Sequence, residues 1–215
     1  MHSPDLPRRV ACLMLLFSLG AGSGCTPTTE YAYPPLPEVA PVARAPSAPP
    51  TMTASADGWT IVTEPGWMHV DLPARPRIAF MPDRTHRGTY RHKDLHARTP
   101  KVEVMVSYVE YDDARDIAEA SAASAPDALI GRWGRQAPGF HVESVAPFAL
   151  GQAAGHEFRL RLDANSAANH ASFAAIDVIR ILWVRGRYYK LDCAAPANEW
   201  TTCQRVLDSF ALDGG

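Results

Sequence analysis

The 215-residue sequence lacks three features that would each place it in a familiar class of protein. It has no excess of one charge, because 21 Lys and Arg face 23 Asp and Glu, and this balance argues against a nucleic-acid-binding protein. Its first apolar run, residues 10–19, has about ten residues, whereas a membrane-spanning helix needs about 20. It has only four cysteines and no C-x-x-C pair, so neither a redox-active dithiol nor a zinc site is expected.

The first 24 residues are typical of a secretory signal peptide. Arg8 and Arg9 make the start positive, the apolar run 10–19 follows, and residues 20–24 are all small. Such a segment is removed on export. The sequence therefore predicts that residues 1–24 are a signal peptide and that the remainder lies outside the cytoplasm, in the periplasm.

The end of this segment resembles the lipobox of bacterial lipoproteins, in which small residues precede an obligatory cysteine. Ser23 and Gly24 precede Cys25, although Gly22 stands where the pattern usually has an aliphatic residue. The resemblance implies that Cys25 carries a diacylglycerol and an N-acyl chain such as palmitate, which together anchor a protein stably to a membrane. Thr26, in place of Asp, implies the outer membrane. The alternative is ordinary cleavage after Ser23, which releases a soluble secreted protein.

Residues 25–57 are rich in proline and alanine. Proline has no amide donor for a helix or a central strand, so this segment is predicted to be a disordered, semi-rigid linker between the lipid anchor and a folded domain. A Pro-rich ligand for a partner protein, at residues 34–37, is the alternative.

Residues 58–215 are predicted to form one α+β domain. The segment 82–100 is polar and basic and is expected to be a loop with a short strand near residues 88–90. Helices are predicted at 114–133, with a break or new start at Pro126, and at 199–210. Strands are predicted near 59–63, 67–73, 78–81, 101–111, 140–145, 154–162, 173–184 and 188–193. This order predicts an antiparallel β-sheet flanked by helices.

Several pieces of the domain, in this order, resemble the PsbP/Mog1-like fold group. They are residues 80–82, Val102 to Tyr111, Gly151 with Gly155 to Phe158, Arg187 to Leu191, and Val206 to Phe210. The resemblance covers roughly residues 58–212 and implies a PsbP/Mog1-like sandwich. It implies no activity, because members of this group mostly serve as binding or assembly factors.

Cys193 and Cys203 are the two cysteines of the predicted domain. Cys193 ends a predicted strand, Cys203 lies in the next helix, and residues 194–197 allow the chain to reverse. An oxidising compartment favours a disulfide between them. Two buried free thiols are the alternative.

No set of residues in the sequence has the pattern of a catalytic site, and no cofactor is expected. His86, His92 and His96 fall in one short basic segment, and three histidines can bind zinc or copper. The arginines around them disfavour a cation, so we interpret the segment as solvated and predict no metal site.

The same segment carries five basic side chains that are predicted to contact an anion. An anionic envelope polymer, such as lipopolysaccharide or another phosphate-bearing polymer, is the expected partner. The five residues are Arg84, Arg87, Arg91, Lys93 and Arg98.

The sequence therefore favours a membrane-anchored, non-enzymatic binding or assembly module. Its partner is an envelope protein or an anionic polymer, and no nucleic acid is expected. A hydrolase or a metal-binding envelope protein is the alternative.

Overall fold

The computed structural model describes residues 49–81, 91–111, 113–136, 139–163 and 175–213. Cys25, the predicted signal peptide and most of the predicted linker lie outside these residues. The described strands are β1 (Thr51–Ala54), β2 (Thr60–Glu64), β3 (Met68–Leu72), β4 (Arg77–Met81), β5 (Arg91–Arg98), β6 (Glu103–Glu110), β7 (Phe140–Leu150), β8 (Ala153–Leu162), β9 (Ala175–Val184), β10 (Arg187–Ala195) and β11 (Ala211–Leu212). The helices are α1 (Ala114–Ala123), α2 (Pro126–Gln136) and α3 (Trp200–Ser209), with a short 3-10 turn at Ala197–Glu199.

The strands form two antiparallel sheets. One has four strands in the order β1-β2-β3-β11, and the other has seven in the order β4-β5-β6-β10-β9-β8-β7. All the pairings within them are antiparallel. The predicted α+β class with antiparallel strands is confirmed.

Apolar side chains cover both faces of the seven-stranded sheet. On one face, Val104, Val106 and Leu191 join the inward side chains of β2 and β3 and of α3 in the larger core. On the other face, Leu129 of α2 packs with Phe158 and other side chains of β8 and β9. The seven-stranded sheet is therefore the middle layer, and among the described elements α1 and α2 pack on the half of the second face that contains β7, β8 and β9.

The helices begin where the sequence provides a start. The Asp113 side chain accepts hydrogen bonds from the amides of Arg115 and Asp116 and so caps α1. Pro126 opens α2, as predicted, because the first helical turn needs no amide donor at that position. None of the helices in the described ranges is long and apolar enough to cross a membrane.

Glycines at two positions meet a steric requirement of the sheet. Gly186 has φ 75° in the turn between β9 and β10, a conformation that favours glycine. A Cβ on Gly155 would lie 1.8 Å from the Ile181 carbonyl oxygen of the neighbouring strand. A side chain at residue 155 is therefore incompatible with the observed pairing of β8 and β9.

Two strands differ from the sequence-based expectation. β1 lies inside the segment 25–57 that was expected to be linker, and it pairs with β2, so the ordered strands begin before residue 58. β5 lies inside the segment 82–100 that was expected to be a loop, and it pairs with both β4 and β6. Each was missed because its inward face is not continuously apolar: β1 is short and mostly exposed, and β5 turns Lys93 inward.

Candidate anion-binding cleft

An open cleft with a volume of about 490 Å³ lies where the connection from β3 to β4 meets the turn from β5 to β6. We call it the arginine cleft. Its lining residues are Arg75, Arg77, His96, Arg98, Thr99 and Pro100.

Strand pairing brings the basic side chains of this cleft together. Arg77 lies directly opposite His96 in the pairing of β4 with β5, so both side chains stand on the same face of the sheet. Arg98 follows His96 by two residues along β5 and therefore stands on that face as well. Arg75 precedes β4 and is followed by buried Pro76, whose ring restricts the backbone at that point.

The electrostatics of the cleft are positive. Arg75 and Arg77 are exposed, and neither has a hydrogen-bond or ion-pair partner within the described residues. His96 Nε2 lies 2.8 Å from Glu103 Oε1 on the neighbouring strand. Arg75 and Arg77 thus bring two guanidinium groups to the cleft beside Arg98, and guanidinium groups bind carboxylates and phosphates with paired hydrogen bonds.

The turn at one side of the cleft is held by its own hydrogen bonds. The Thr99 hydroxyl accepts from the backbone amides of Val102, at 2.9 Å, and Lys101, at 3.2 Å. The Thr99 amide also donates to the Val102 carbonyl. This side of the cleft is therefore shaped before any ligand binds.

The structure separates the five basic residues that the sequence grouped together. Arg84 and Arg87 lie outside the described residues. The backbone of Arg91 begins β5, and Arg98 lines the arginine cleft. Lys93 was predicted wrongly: it is buried between the sheets, where its Nζ lies 2.7 Å from Glu64 Oε1.

Lys93 belongs to a buried ionic layer that comprises Glu64, Lys93, Glu110 and Arg187 and lies between the two sheets. Arg187 Nε lies 3.3 Å from Glu110 Oε1, and its guanidinium carbon lies 4.0 Å from the centre of the Trp67 ring. Burial, reinforced by the nearby Glu64 carboxylate, raises the pKa of the Tyr108 hydroxyl. The charged side chains of this layer pair with one another and link the two sheets.

The predicted histidine segment is also divided by the structure. His92 Nε2 lies 3.0 Å from Asp94 Oδ1, and His96 pairs with Glu103. His86 lies outside the described residues. The part of the chain that the structure describes contains no group of three or more histidine, cysteine or acidic side chains that could hold a metal ion.

A second polar group lies on the face of the seven-stranded sheet that points away from the larger core. Lys190 Nζ lies 2.6 Å from Asp192 Oδ2, and Asp177 lies close by on β9. Burial, and then the negative charge of Asp192, raise the pKa of the Asp177 carboxyl well above its ordinary value. Burial alone would lower the pKa of Lys190, but the attraction of Asp192 outweighs it and raises that pKa. Lys190 and Asp192 therefore form an ion pair, and Asp177 holds its proton to a higher pH than an exposed aspartate does.

Cys193 of β10 and Cys203 of α3 form a disulfide, as predicted. Both residues are fully buried in the larger core. The bond ties the terminal helix to the seven-stranded sheet, so it has a structural position rather than an exposed, reactive one.

Sequence reasoning missed Arg75 and Arg77. A signal was present, because Arg75-Pro76-Arg77 immediately precedes a segment that was predicted as an edge strand. It was not used because the neighbouring segment 84–98 has more basic residues, and only the pairing of β4 with β5 shows which of them share a face.

Comparisons with known proteins give a structural likeness and no family. No family model and no curated protein matches the chain. The chain is similar to the solution structure of cyanobacterial PsbP (CyanoP) from Synechocystis sp. PCC 6803, with 14% sequence identity, 83% of this chain and 99% of that chain covered, and a TM-score of 0.35. A TM-score this low does not assign a fold family, so the PsbP/Mog1-like resemblance stays a prediction.

Proposed function

We propose that this protein is an exported, non-enzymatic binding module that takes an anionic partner at the arginine cleft. The observation that carries the proposal is the placement of Arg75, Arg77 and Arg98 around one open cleft. Arg75 and Arg77 have no partner among the described residues, so their hydrogen-bonding capacity remains available to a ligand.

The pairing of the other charged groups supports binding over catalysis. On the sheet face that points away from the larger core, His92 pairs with Asp94, and Lys190 pairs with Asp192. A general acid or base needs a titratable group that faces a bound substrate. These groups instead face each other, which disfavours the alternative of a hydrolase.

The anionic partner is tested by titrating the mature protein with pyrophosphate in a calorimeter at low salt. The double variant Arg75→Gln/Arg77→Gln should bind about tenfold more weakly or worse, because each charge-assisted hydrogen bond contributes about 1.5–3 kcal/mol. The matched control is Arg115→Gln/Arg161→Gln, which removes two exposed arginines elsewhere and has the same net charge as the cleft double variant. Equal affinities for the two double variants would contradict the proposal.

We further propose that Cys25 anchors the protein to the outer membrane through lipid. The lipobox resemblance of residues 19–25 and the proline-rich segment that follows support this placement. Cells fed labelled palmitate should label the natural protein and fail to label Cys25→Ala. A mature chain that begins at Gly24 and carries no label would instead establish cleavage after Ser23 and a soluble secreted protein.

A further inference from the structure

A second depression, with a volume of about 370 Å³, adjoins the arginine cleft. We call it the apolar pocket. Trp59, Pro73, Pro100 and Val102 form most of its apolar lining. Its polar lining comes from Thr99, from Thr202 of α3 and from the ion pair of Lys101 with Glu199. The arginine cleft presents mainly cationic side chains, whereas this pocket presents mainly apolar ones.

The two depressions share a boundary. Thr99 and Pro100 line both of them, on either side of the turn from β5 to β6. The connection from β3 to β4 also borders both, with Pro73 in the apolar pocket and Arg75 in the arginine cleft. A ligand that fills one depression therefore reaches the other across a single turn of the chain.

The walls of the apolar pocket are held in place without a ligand. The Arg205 guanidinium carbon lies 3.9 Å from the centre of the Trp59 ring, and Arg205 is itself hydrogen-bonded to Asp57 and Asp71. Val102 is buried in the larger core. Preorganised walls reduce the conformational entropy that binding would otherwise cost.

From this juxtaposition we infer that the ligand is a single amphiphilic molecule with a phosphate head and an acyl or alkyl tail. The head binds Arg75, Arg77 and Arg98, and the tail enters the apolar pocket beyond Thr99 and Pro100. The inference rests on the proposed anion binding and adds the apolar half of the ligand.

Charge and shape both favour this occupant. Guanidinium groups suit phosphate, and the proline, valine and tryptophan side chains give a tail apolar surface, while Lys101 and Glu199 are paired with each other. Both depressions are concave and fall in the range of about 300–1,000 Å³ that is usual for small-molecule sites. A flat membrane surface or an extended polyanion would fill the arginine cleft and leave the apolar pocket in water.

The test compares three ligands by calorimetry on the mature protein, below the critical micelle concentration of each amphiphile. Dodecyl phosphate carries head and tail, ethyl phosphate carries the head with almost no tail, and dodecyl maltoside carries the tail with a neutral head. Dodecyl phosphate should bind at least about 100-fold more tightly than ethyl phosphate, since several methylenes leave water. Dodecyl maltoside should bind far more weakly than dodecyl phosphate.

Two neighbouring substitutions locate the tail. Thr202→Glu places a carboxylate at the edge of the apolar pocket and should remove the advantage of dodecyl phosphate over ethyl phosphate. Thr201→Glu makes the same change at an exposed neighbouring position and should leave that advantage intact. Arg75→Gln/Arg77→Gln should weaken both phosphates.

The outcomes separate the two proposals. If ethyl and dodecyl phosphate bind equally tightly, the inferred tail site is overturned and the anion-binding function stands. If dodecyl maltoside binds as tightly as dodecyl phosphate, or Thr201→Glu and Thr202→Glu act alike, the inferred ligand is also overturned. If neither phosphate binds, both proposals fail.

Discussion

The buried ionic layer and the arginine cleft are both rich in cationic side chains, yet they treat charge in opposite ways. In the layer, Lys93 and Arg187 lie between the sheets and each contacts a carboxylate, Glu64 or Glu110. In the cleft, Arg75 and Arg77 stand in the open with no partner among the described residues.

The comparison separates basic residues that are paired with carboxylates inside the fold from basic residues that are available to bind a ligand. A buried charge without a partner is costly, so the interior must supply Glu64 for Lys93. An exposed arginine stays hydrated and costs the fold little. A count of basic residues in the sequence does not distinguish buried, paired residues from exposed ones, whereas the contacts in the folded structure do.

The largest effect is expected from breaking the buried pair. Lys93→Met leaves the Glu64 carboxylate, which is only 1% exposed, without its ammonium partner. We expect a loss of about 3–5 kcal/mol in the free energy of unfolding, measured by urea denaturation. Arg77→Gln in the cleft is the control and should change stability by less than about 0.5 kcal/mol. Similar losses in the two variants would erase the contrast between the regions.

A smaller loss is expected when the disulfide is removed from the larger core. Cys193→Ala/Cys203→Ala opens a loop with a sequence separation of 10, which should lower the free energy of unfolding by about 2–3 kcal/mol. The natural protein treated with a reductant should lose a similar amount. A variant that stays as stable as the oxidised protein would show that the packing of α3 alone holds this region.

Asp177 provides a pH-dependent test on the sheet face that points away from the larger core. Because its pKa is raised in the folded state, that state holds a proton that the unfolded chain releases, and stability falls as pH rises from the ordinary aspartate pKa toward the raised value. Asp177→Asn removes this penalty. Its stability advantage over the natural protein should be small near pH 4 and larger near pH 7, as followed by thermal unfolding. An advantage that does not change with pH would show that Asp177 is ionised in the fold.

The smallest effect is expected at an exposed pair. Hydrogen bonds from Ser55 and Arg205 lower the pKa of Asp57 to about 2, and the side chain lies at the surface. Its stabilising contribution is present above the ordinary aspartate pKa and is lost as pH falls toward 2. Since exposed pairs contribute little, Asp57→Asn should barely move the urea midpoint at pH 7. A shift as large as that of Lys93→Met would mean that this pair acts like the interior one.

The elements with unbroken alternation could be read from the sequence. Val102, Val104, Val106 and Tyr108 were expected to share the core face of one strand, and all four are buried. The turn at Arg185 and Gly186 and the second helix start at Pro126 were also predicted. Glycine and proline each favour particular backbone conformations locally, so these features can be predicted without knowledge of distant contacts. The disulfide followed from the positions of Cys193 and Cys203 and is present.

The arginine cleft could be predicted only in part. Arg98 was among the predicted anion contacts, but the residues that accompany it come from the other side of a strand pairing. The register between β4 and β5 brings these residues close together. That register depends on which side chains of β5 face the core, and Lys93 interrupts the apolar pattern on that face. Because the partner of Lys93 is Glu64, distant in sequence, no local pattern could reveal β5 as a strand or the cleft beside it.

Strand pairing in the four-stranded sheet also sets where the chain enters and leaves this sheet relative to the arginine cleft. The chain enters β1 at Thr51, beside Thr63, and leaves β11 at Leu212, beside Met68, so both ends emerge from the same pole of the sheet. Leu72 ends β3 beside Thr60 at the opposite pole, and the path into the arginine cleft starts there. Within the described residues, the chain therefore enters and leaves this sheet at the pole opposite the one from which the connection to the cleft departs.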